Sequence, residues 1–408
     1  MSNKTNSTKL FTTFKIWKKS DASGIFDYQN ENIYEVEHST TKKNIYYFKS
    51  ITEKITAKES HADHSPGDNL LFHARKNNKN NYEIINVIKK NMEKNDSNIK
   101  SLDNNMWLVL KSESQINFEN NNPPYKLMEN DIIKFGRRKY EVLKLNIPIS
   151  QGNEYEENSL NSINQKYGQV FNKFLKPNQY CKEIKELNKN NNLISDKKIN
   201  DGYNEDKDCR ICFGSESTKE NPKLRICRCK TFIHYKCLKM FLQTHIKMSE
   251  NQKGTVTSYH HDKFNCEVCE EPLPLKFSIK YDKNEIRDYY LIDGLELPEN
   301  LNYIILESLI YVKEKKNKKN VFVIRLTENE YTFGRNNKND MVDDDISISR
   351  FHAVLKFDQE SGDITLVNKS KFGILVLIKN NVPLINDEKI YFQIGRSYIT
   401  VYEEETEE

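Results

Sequence analysis

The hydrophobic and polar positions of the chain change period along its length. From Asn302 onward they alternate: Phe322, Ile324 and Leu326 interleave with Val323 and Arg325, and Ile364-Thr365-Leu366-Val367 and Ile374 to Ile378 follow. Short β-rich runs punctuated by Gly, Asn and Asp predict an antiparallel sandwich or barrel, and about a hundred residues suffice for one sandwich. Between Asn44 and Leu145 the apolar clusters are again short: Ile45-Tyr46-Tyr47-Phe48, Leu70-Leu71-Phe72, Trp107-Leu108-Val109-Leu110 and Ile132-Ile133-Lys134-Phe135. Asn and Lys runs separate them, which predicts strands in a small domain with long loops. Only between Cys237 and His245 do apolar positions recur every three or four residues (Leu238, Phe241, Leu242), predicting a helix with one apolar stripe. Residues 1–40 read as a loosely structured arm. The stretch from Pro148 to Asp208 reads as a polar linker with short helical pieces at Val170–Leu175 and Tyr180–Leu187.

Composition explains the interruptions. Of 408 residues, 37% are hydrophobic and 30% charged, with a mean hydropathy of −0.80, so several modest modules with polar connections are expected rather than one large core. The formal charge is only +4, from 63 basic and 59 acidic residues, too little for the clustered basic footprint of a nucleic-acid binder. Charge runs at Lys313–Lys319, Asp340–Asp345 and Glu403–Glu408 read as solvated loops or termini. No run approaches the ~18 apolar residues a membrane helix needs, and Met1 to Trp17 has no signal-peptide core. The expectation is a soluble intracellular protein of the cytoplasm, with a nuclear location not excluded.

The cysteines carry the first chemistry. There are eight, and seven fall between Cys209 and Cys269; Cys181 stands alone. Their order is Cys209-x2-Cys212-x14-Cys227-x-Cys229-x4-His234-x2-Cys237-x28-Cys266-x2-Cys269. In a reducing compartment such clustered pairs read as metal ligands rather than disulfides. Eight soft ligands make two four-coordinate zinc sites. The wording Cys209-Arg210-Ile211-Cys212, Cys227-Arg228-Cys229, His234-x2-Cys237-Leu238 and Cys266-Glu267-Val268-Cys269 resembles the variant RING finger, RING-CH, over about residues 206–275. That resemblance implies a cross-brace: Cys209, Cys212, His234 and Cys237 on one zinc, Cys227, Cys229, Cys266 and Cys269 on the other. It also implies a groove for a ubiquitin-conjugating enzyme formed by Ile211 and Phe241, both of which equally suit core packing. The plant homeodomain finger shares the ligand order, and the four-residue gap before His234 and the aromatic Phe264 suit it. Glu270 stands where active RINGs tend to carry a basic residue. The 28-residue gap before Cys266 reads as a polar insert, its His260-His261 pair as an exposed loop. His61, His64 and His73, beside Ser65-Pro66-Gly67, read as a turn rather than a metal site.

A second chemistry lies near the C-terminus. Phe333-Gly334-Arg335, Ser349-Arg350-Phe351-His352-Ala353 and Asn368-Lys369-Ser370-Lys371-Phe372-Gly373 follow one another in the order of the forkhead-associated (FHA) domain, which this segment resembles over about residues 302–403. The resemblance implies a β-sandwich whose loops read phosphothreonine. Phosphate offers nearly two charges and three acceptor oxygens, which a guanidinium and a hydroxyl on fixed loops take with charge-assisted bonds. Arg335 and Ser349 are the expected contacts, Arg350 and Lys371 stand behind them, and His352 is expected to brace the loops. A plain salt bridge from Arg335 to Asp340 or Asp345 is the alternative. Phe372 replaces the Asn, and Ile374 the Thr, usual in that family. An internal echo is also visible: Asp131-Ile132-Ile133-Lys134-Phe135-Gly136-Arg137 with Tyr140-Glu141-Val142 resembles Lys389 to Arg396 with Tyr398 to Val401. Either the front domain is a degenerate FHA copy, or two hairpins share a Gly-Arg turn.

The expected fold is therefore multidomain and mainly β, with a small α/β zinc module. Its order is a flexible arm (1–40), a β-rich domain (41–147), a polar linker (148–205), a RING-CH finger (206–277), a linker (278–301), an FHA sandwich (302–403) and an acidic tail (404–408). The combination resembles proteins seen in protists. It implies a RING-type ubiquitin ligase without a catalytic nucleophile of its own, which meets a conjugating enzyme and a phosphothreonine-containing partner. A non-enzymatic zinc-binding adaptor is the other reading.

Overall fold

The structure, a computed structural model, describes residues 6–17, 33–63, 65–78, 80–85, 105–111, 125–147, 193–194, 208–227, 229, 231–262, 264–271, 273–282, 285–309, 318–371, 373–379, 381–385 and 388–407. The expected helical pieces near 170–187, Cys181, His64 and Phe372 lie outside them. The described chain is mainly β, with one α-helix, and divides into two compact units. One unit draws on the residues up to Val142 and from Glu328 on; the other takes those from Leu143 to Thr327.

The first unit is woven from both ends of the chain. Its longest sheet runs in the order Ile132–Phe135, Ile374–Leu377, Met106–Leu110, Ile390–Ile394, Ser397–Glu407, Asn6–Trp17 and Ile33–Thr40, antiparallel throughout. A second sheet (Met341–Val342, Glu330–Gly334, Ala353–Phe357, Ile364–Asn368, Tyr125–Lys126) covers one part of it. There Phe135 meets Phe333 at 4.4 Å between ring centroids, and Tyr140 meets Phe333 edge-on at 5.6 Å. A third sheet (Val382–Pro383, Tyr82–Ile85, Asn69–Lys76, Asn44–Lys49, Ile55–Lys58) covers another part. There Phe14 meets Tyr47 at 5.3 Å and Phe72 at 6.1 Å. Alternating inward side chains from facing sheets make each core, as in a β-sandwich.

Several expectations change here. The expected arm is partly strand: Leu10, Phe14, Ile16 and Trp17 are buried, because Thr and Lys at alternate positions hide a period-2 pattern in a polar stretch. The expected acidic tail is strand too. Glu403 is wholly buried and accepts the Tyr82 N–H at 2.6 Å. Asp343, within the expected solvated run, is also buried. His61 opens a short turn, His61–Asp63, and His73 lies on a strand, stacked 4.1 Å from Tyr46.

The echoed hairpins show the largest difference. Each turns on two residues, Gly136-Arg137 and Gly395-Arg396, with the glycine at φ +59° and +54°. Glycine at the first position suits the hairpin turn whose twist matches the strands. The hairpin expected to close the phosphate-loop sandwich, 390–401, instead pairs with Met106–Leu110 and Asn6–Trp17. The front hairpin takes its place beside Ile374–Leu377. Both carry equivalent buried sets, Ile133, Phe135, Tyr140 and Val142 against Phe392, Ile394, Ile399 and Val401. A hydrophobic pattern fixes which face is buried but not which partner covers it.

In the second unit, the insert before Cys266 is a hairpin, Ile246–Glu250 with Val256–His261, turning at Gly254. It continues into Lys319–Arg325 and Tyr303–Ser308. Val256, Tyr259 and His261 are buried and His260 Nδ1 meets Asn320 Oδ1 at 3.0 Å, so the histidine pair is strand rather than exposed loop. The expected 278–301 linker begins with the hairpin Lys276–Asp282 and Glu285–Tyr290, and Leu291, Ile292 and Leu295 are buried after it. The helix Tyr235–Gln243 buries Tyr235, Leu238 and Leu242. They join Leu224, Phe264, Phe277, Ile305 and Val321 in one apolar cluster. The cysteine module thus shares its core with the surrounding strands.

Candidate functional site

Two constellations carry chemistry, one in each unit. In the second unit the ligand atoms of Cys209, Cys212, His234 and Cys237 lie within 4.8 Å of one another, and so do those of Cys227, Cys229, Cys266 and Cys269. This is the interleaved grouping that the variant RING resemblance implies. Both ends of the grouping use the same local fold. Phe213 N–H donates to the Cys209 carbonyl and Glu270 N–H to the Cys266 carbonyl, each at 2.8 Å, and both residues have φ +58°. A left-handed residue after the second cysteine curls the backbone so that both sulfurs point to one place. Two such residues, one a bulky Phe, are a local strain that a bound ion would offset.

The donor set fits a metal. Cys229 Sγ and Cys266 Sγ are 3.8 Å apart, matching the ~3.8 Å edge of a tetrahedron with ~2.3 Å metal–sulfur bonds. His234 turns Nδ1 toward Cys212 Sγ at 3.2 Å, while Nε2 donates to the Glu216 carbonyl at 2.5 Å. That bond fixes the proton on Nε2 and leaves the Nδ1 lone pair for a ligand, as outer-shell partners of metal-bound histidines do. His234 also holds the N-cap position of the helix without capping it. The thiols divide. Burial alone would push Cys209 up, but N–H donors from Cys212, His234 and Ile211 outweigh it and hold the thiol at about 6. Cys266 is likewise brought to about 6 against burial by the N–H groups of Cys269 and Val268. Burial and neighbouring thiols push Cys237 up to about 12, and Cys227 higher still. Four thiols or three with an imidazole this close cannot all ionise unless a cation joins them. Two metal ions can therefore be held, each closed by four protein ligands.

Around these knuckles the apolar surface is uneven. Ile211 is 38% exposed, and Phe213, Met240 and Val268 more so. Phe241 is half-buried against the core, with its ring 5.1 Å from His245. Of the two expected groove residues, one is at the surface and the other mainly packs.

In the first unit, the loops between strands of the second sheet gather Arg335, Ser349 and Arg350. Arg335 N–H donates to the Ser349 carbonyl at 2.9 Å, and its Nε donates to the Ile348 carbonyl at 3.2 Å. Its exposed guanidinium is in no ion pair among the described residues. Asp345 instead accepts from Arg137, and Asp340 from the Thr332 N–H and hydroxyl. The salt-bridge alternative for Arg335 is thereby answered. Gly334 is required where it stands, since a Cβ would come within 2.5 Å of the Arg350 carbonyl. His352 is wholly buried; its Nδ1 accepts the Ser349 N–H at 3.0 Å, and its ring stands edge-on to Phe135 at 5.5 Å. Burial brings its pKa down to about 4, so it is neutral at pH 7. It braces the loops from within, as expected.

The third loop is held by Asn368, whose side chain donates to the Leu110 and Ser370 carbonyls and accepts from Ser370. Lys371 is exposed at its tip. Sequence reading missed two supports. Asn339 donates to the Arg350 carbonyl at 2.8 Å. The front hairpin presses on the Ser349 loop: Arg137 N–H donates to Ser347 Oγ at 2.9 Å, and Arg138 Nε donates to Asp343 Oδ2 at 3.0 Å. A contact between segments about two hundred residues apart leaves no local pattern to find.

Residues 331–396 match the family model of the FHA domain, and this segment of the chain is an FHA domain. No variant RING model matches the cysteine segment. Among curated proteins nothing matches the chain. Among the described residues no helix is long and apolar enough to cross a membrane.

Proposed function

We propose that this protein recognises phosphothreonine on a partner protein through Arg335 and Ser349, with Arg350 and Lys371 adding positive charge, and couples that recognition to a module closed by two structural zinc ions. The observation that carries the reading is the exposed Arg335 guanidinium. It is anchored by Nε on the loop that bears Ser349 and is in no ion pair among the described residues, while Asp345 and Asp340 are engaged elsewhere. A fixed guanidinium beside a loop hydroxyl is what a phosphate dianion needs. The test is capture of degenerate phosphothreonine and threonine peptide libraries by the full chain. Enrichment of phosphorylated peptides that is lost in Arg335→Ala supports the reading; equal recovery of both libraries contradicts it.

The finer reading is a RING-type ubiquitin ligase that brings a charged conjugating enzyme to the phosphorylated partner, acting by proximity alone. Exposed Ile211 beside the first knuckle favours it. The adaptor reading is favoured by Glu270 on the second knuckle and by a finger whose core continues into neighbouring strands. Self-ubiquitination across a panel of conjugating enzymes separates them. Activity that falls in Ile211→Ala and Cys209→Ser makes the protein a ligase; no activity above those variants makes it an adaptor.

A further inference from the structure

The front hairpin does more than complete a sheet. Its turn residue Gly136 sits so close to the phosphate-loop segment that a Cβ would lie 2.3 Å from the Ser347 carbonyl. The two arginines that follow divide in role. Arg138 is mostly buried and fixed on buried Asp343. Arg137 points outward, its side chain 46% exposed, and reaches Asp345 Oδ1 at 3.4 Å. So exposed a pair contributes little, and a ligand anion can take Asp345's place on the guanidinium.

The spacing is defined by the chain itself. Ile348 N–H donates to the Asp345 carbonyl at 2.9 Å, closing a turn whose ends lie within ~7 Å. Arg335 is anchored at one end of that turn, on Ile348, and Arg137 at the other, on Asp345. Anchor points on one such turn lie within reach of a single extended peptide, which advances ~3.3 Å per residue. The geometry points to Arg137 as a specificity-determining residue of the phosphopeptide face, which contacts a second anionic side chain within a few residues of the phosphothreonine. This rests on the phosphothreonine reading above. The second anion is a carboxylate or a second phosphate, the shared chemistry being an oxyanion that a guanidinium fork accepts.

The test uses the full chain and labelled phosphothreonine peptides that carry Gln, Glu or phosphoserine at one position, placed in turn one to four residues to either side. Fluorescence anisotropy is expected to show wild type binding the Glu or phosphoserine peptide about fivefold more tightly than the Gln peptide, the upper range of an exposed pair. Preference for phosphoserine alone identifies the anion as a second phosphate; preference for both shows that a carboxylate suffices. Arg137→Gln should bind all three alike, with the wild-type affinity for the Gln peptide, and Arg137→Lys should keep part of the preference. A preference undiminished in Arg137→Gln overturns the inference. So does an equal loss on all three peptides, which would make Arg137 a support of the loop only. Wild type that binds none of the phosphothreonine peptides overturns the underlying reading itself, a result distinct from either.

Discussion

Arg138 and Asp343 are 205 residues apart in sequence, yet Arg138 Nε donates to Asp343 Oδ2 at 3.0 Å inside the first unit. The Tyr140 hydroxyl shares the same carboxylate oxygen, and Asp343 Oδ1 accepts the Asp345 N–H at 3.1 Å. This buried carboxylate ties the front hairpin to the segment that leads into Ser349. Removing it leaves a mostly buried guanidinium without its counter-charge. Asp343→Ala should cost about 3–5 kcal/mol, read as a lower urea midpoint for the first unit with the same midpoint for the second.

Gly136→Ala tests the same contact from the other side. The added Cβ would clash with the Ser347 backbone, and φ +59° disfavours any L side chain. A loss of about 1–3 kcal/mol is expected, with weaker phosphopeptide binding in the fraction that stays folded. Gly395→Ala, at the echoed turn on the other hairpin, should lose stability but leave phosphopeptide affinity unchanged.

His352 makes the first unit acid-sensitive. Burial lowers its pKa from 6.5 to about 4 in the folded chain. The unfolded chain therefore takes up a proton at a pH where the folded chain does not. The stability this provides is complete above about 6.5 and falls away as the pH drops through about 4, by roughly 2–3 kcal/mol in all. Urea unfolding followed between pH 7.5 and 4 should show this slope, and His352→Gln should flatten it.

Chelation should act on the second unit alone. Each structural site contributes on the order of 10–16 kcal/mol in peptide systems, and its loss frees the knuckles that hold the helix against the shared core. Metal analysis should find about two zincs per chain. After removal, the helix Tyr235–Gln243 and its strands should lose hydrogen-exchange protection while Glu330–Gly334 and Ala353–Phe357 keep theirs.

The chemistry was more legible than the architecture. Spacing marks Cys209 to Cys269 as metal ligands, and the resemblance to the variant RING finger implied the interleaved grouping that the structure also has. Gly334-Arg335 and Ser349-x2-His352 were legible through the FHA resemblance, and the close backbone approach at Gly334 and the buried His352 ring give that wording its physical reason. The helix was placed within two residues from Leu238 and Leu242. What failed was long-range partnering. Phe135 and Ile394 occupy equivalent places in equivalent hairpins, each just before the turn glycine, and nothing local tells which of them faces Phe333. Leu10 and Phe14 were hidden for a similar reason, since alternate Thr and Lys diluted their hydrophobicity. Buried Glu403 was hidden because its burial depends on the Tyr82 N–H, a partner 321 residues away.

The central claim is that Arg335 and the Ser349 loop read phosphothreonine. Calorimetric titration of the full chain with one library-selected peptide, in its phosphothreonine, phosphoserine and threonine forms, tests it most directly. Saturable binding of the phosphothreonine form, at least tenfold weaker binding of the threonine form, and loss of both in Arg335→Ala are the predicted results. Equal binding of the phosphothreonine and threonine forms, or an Arg335→Ala chain that binds as wild type does, would contradict it.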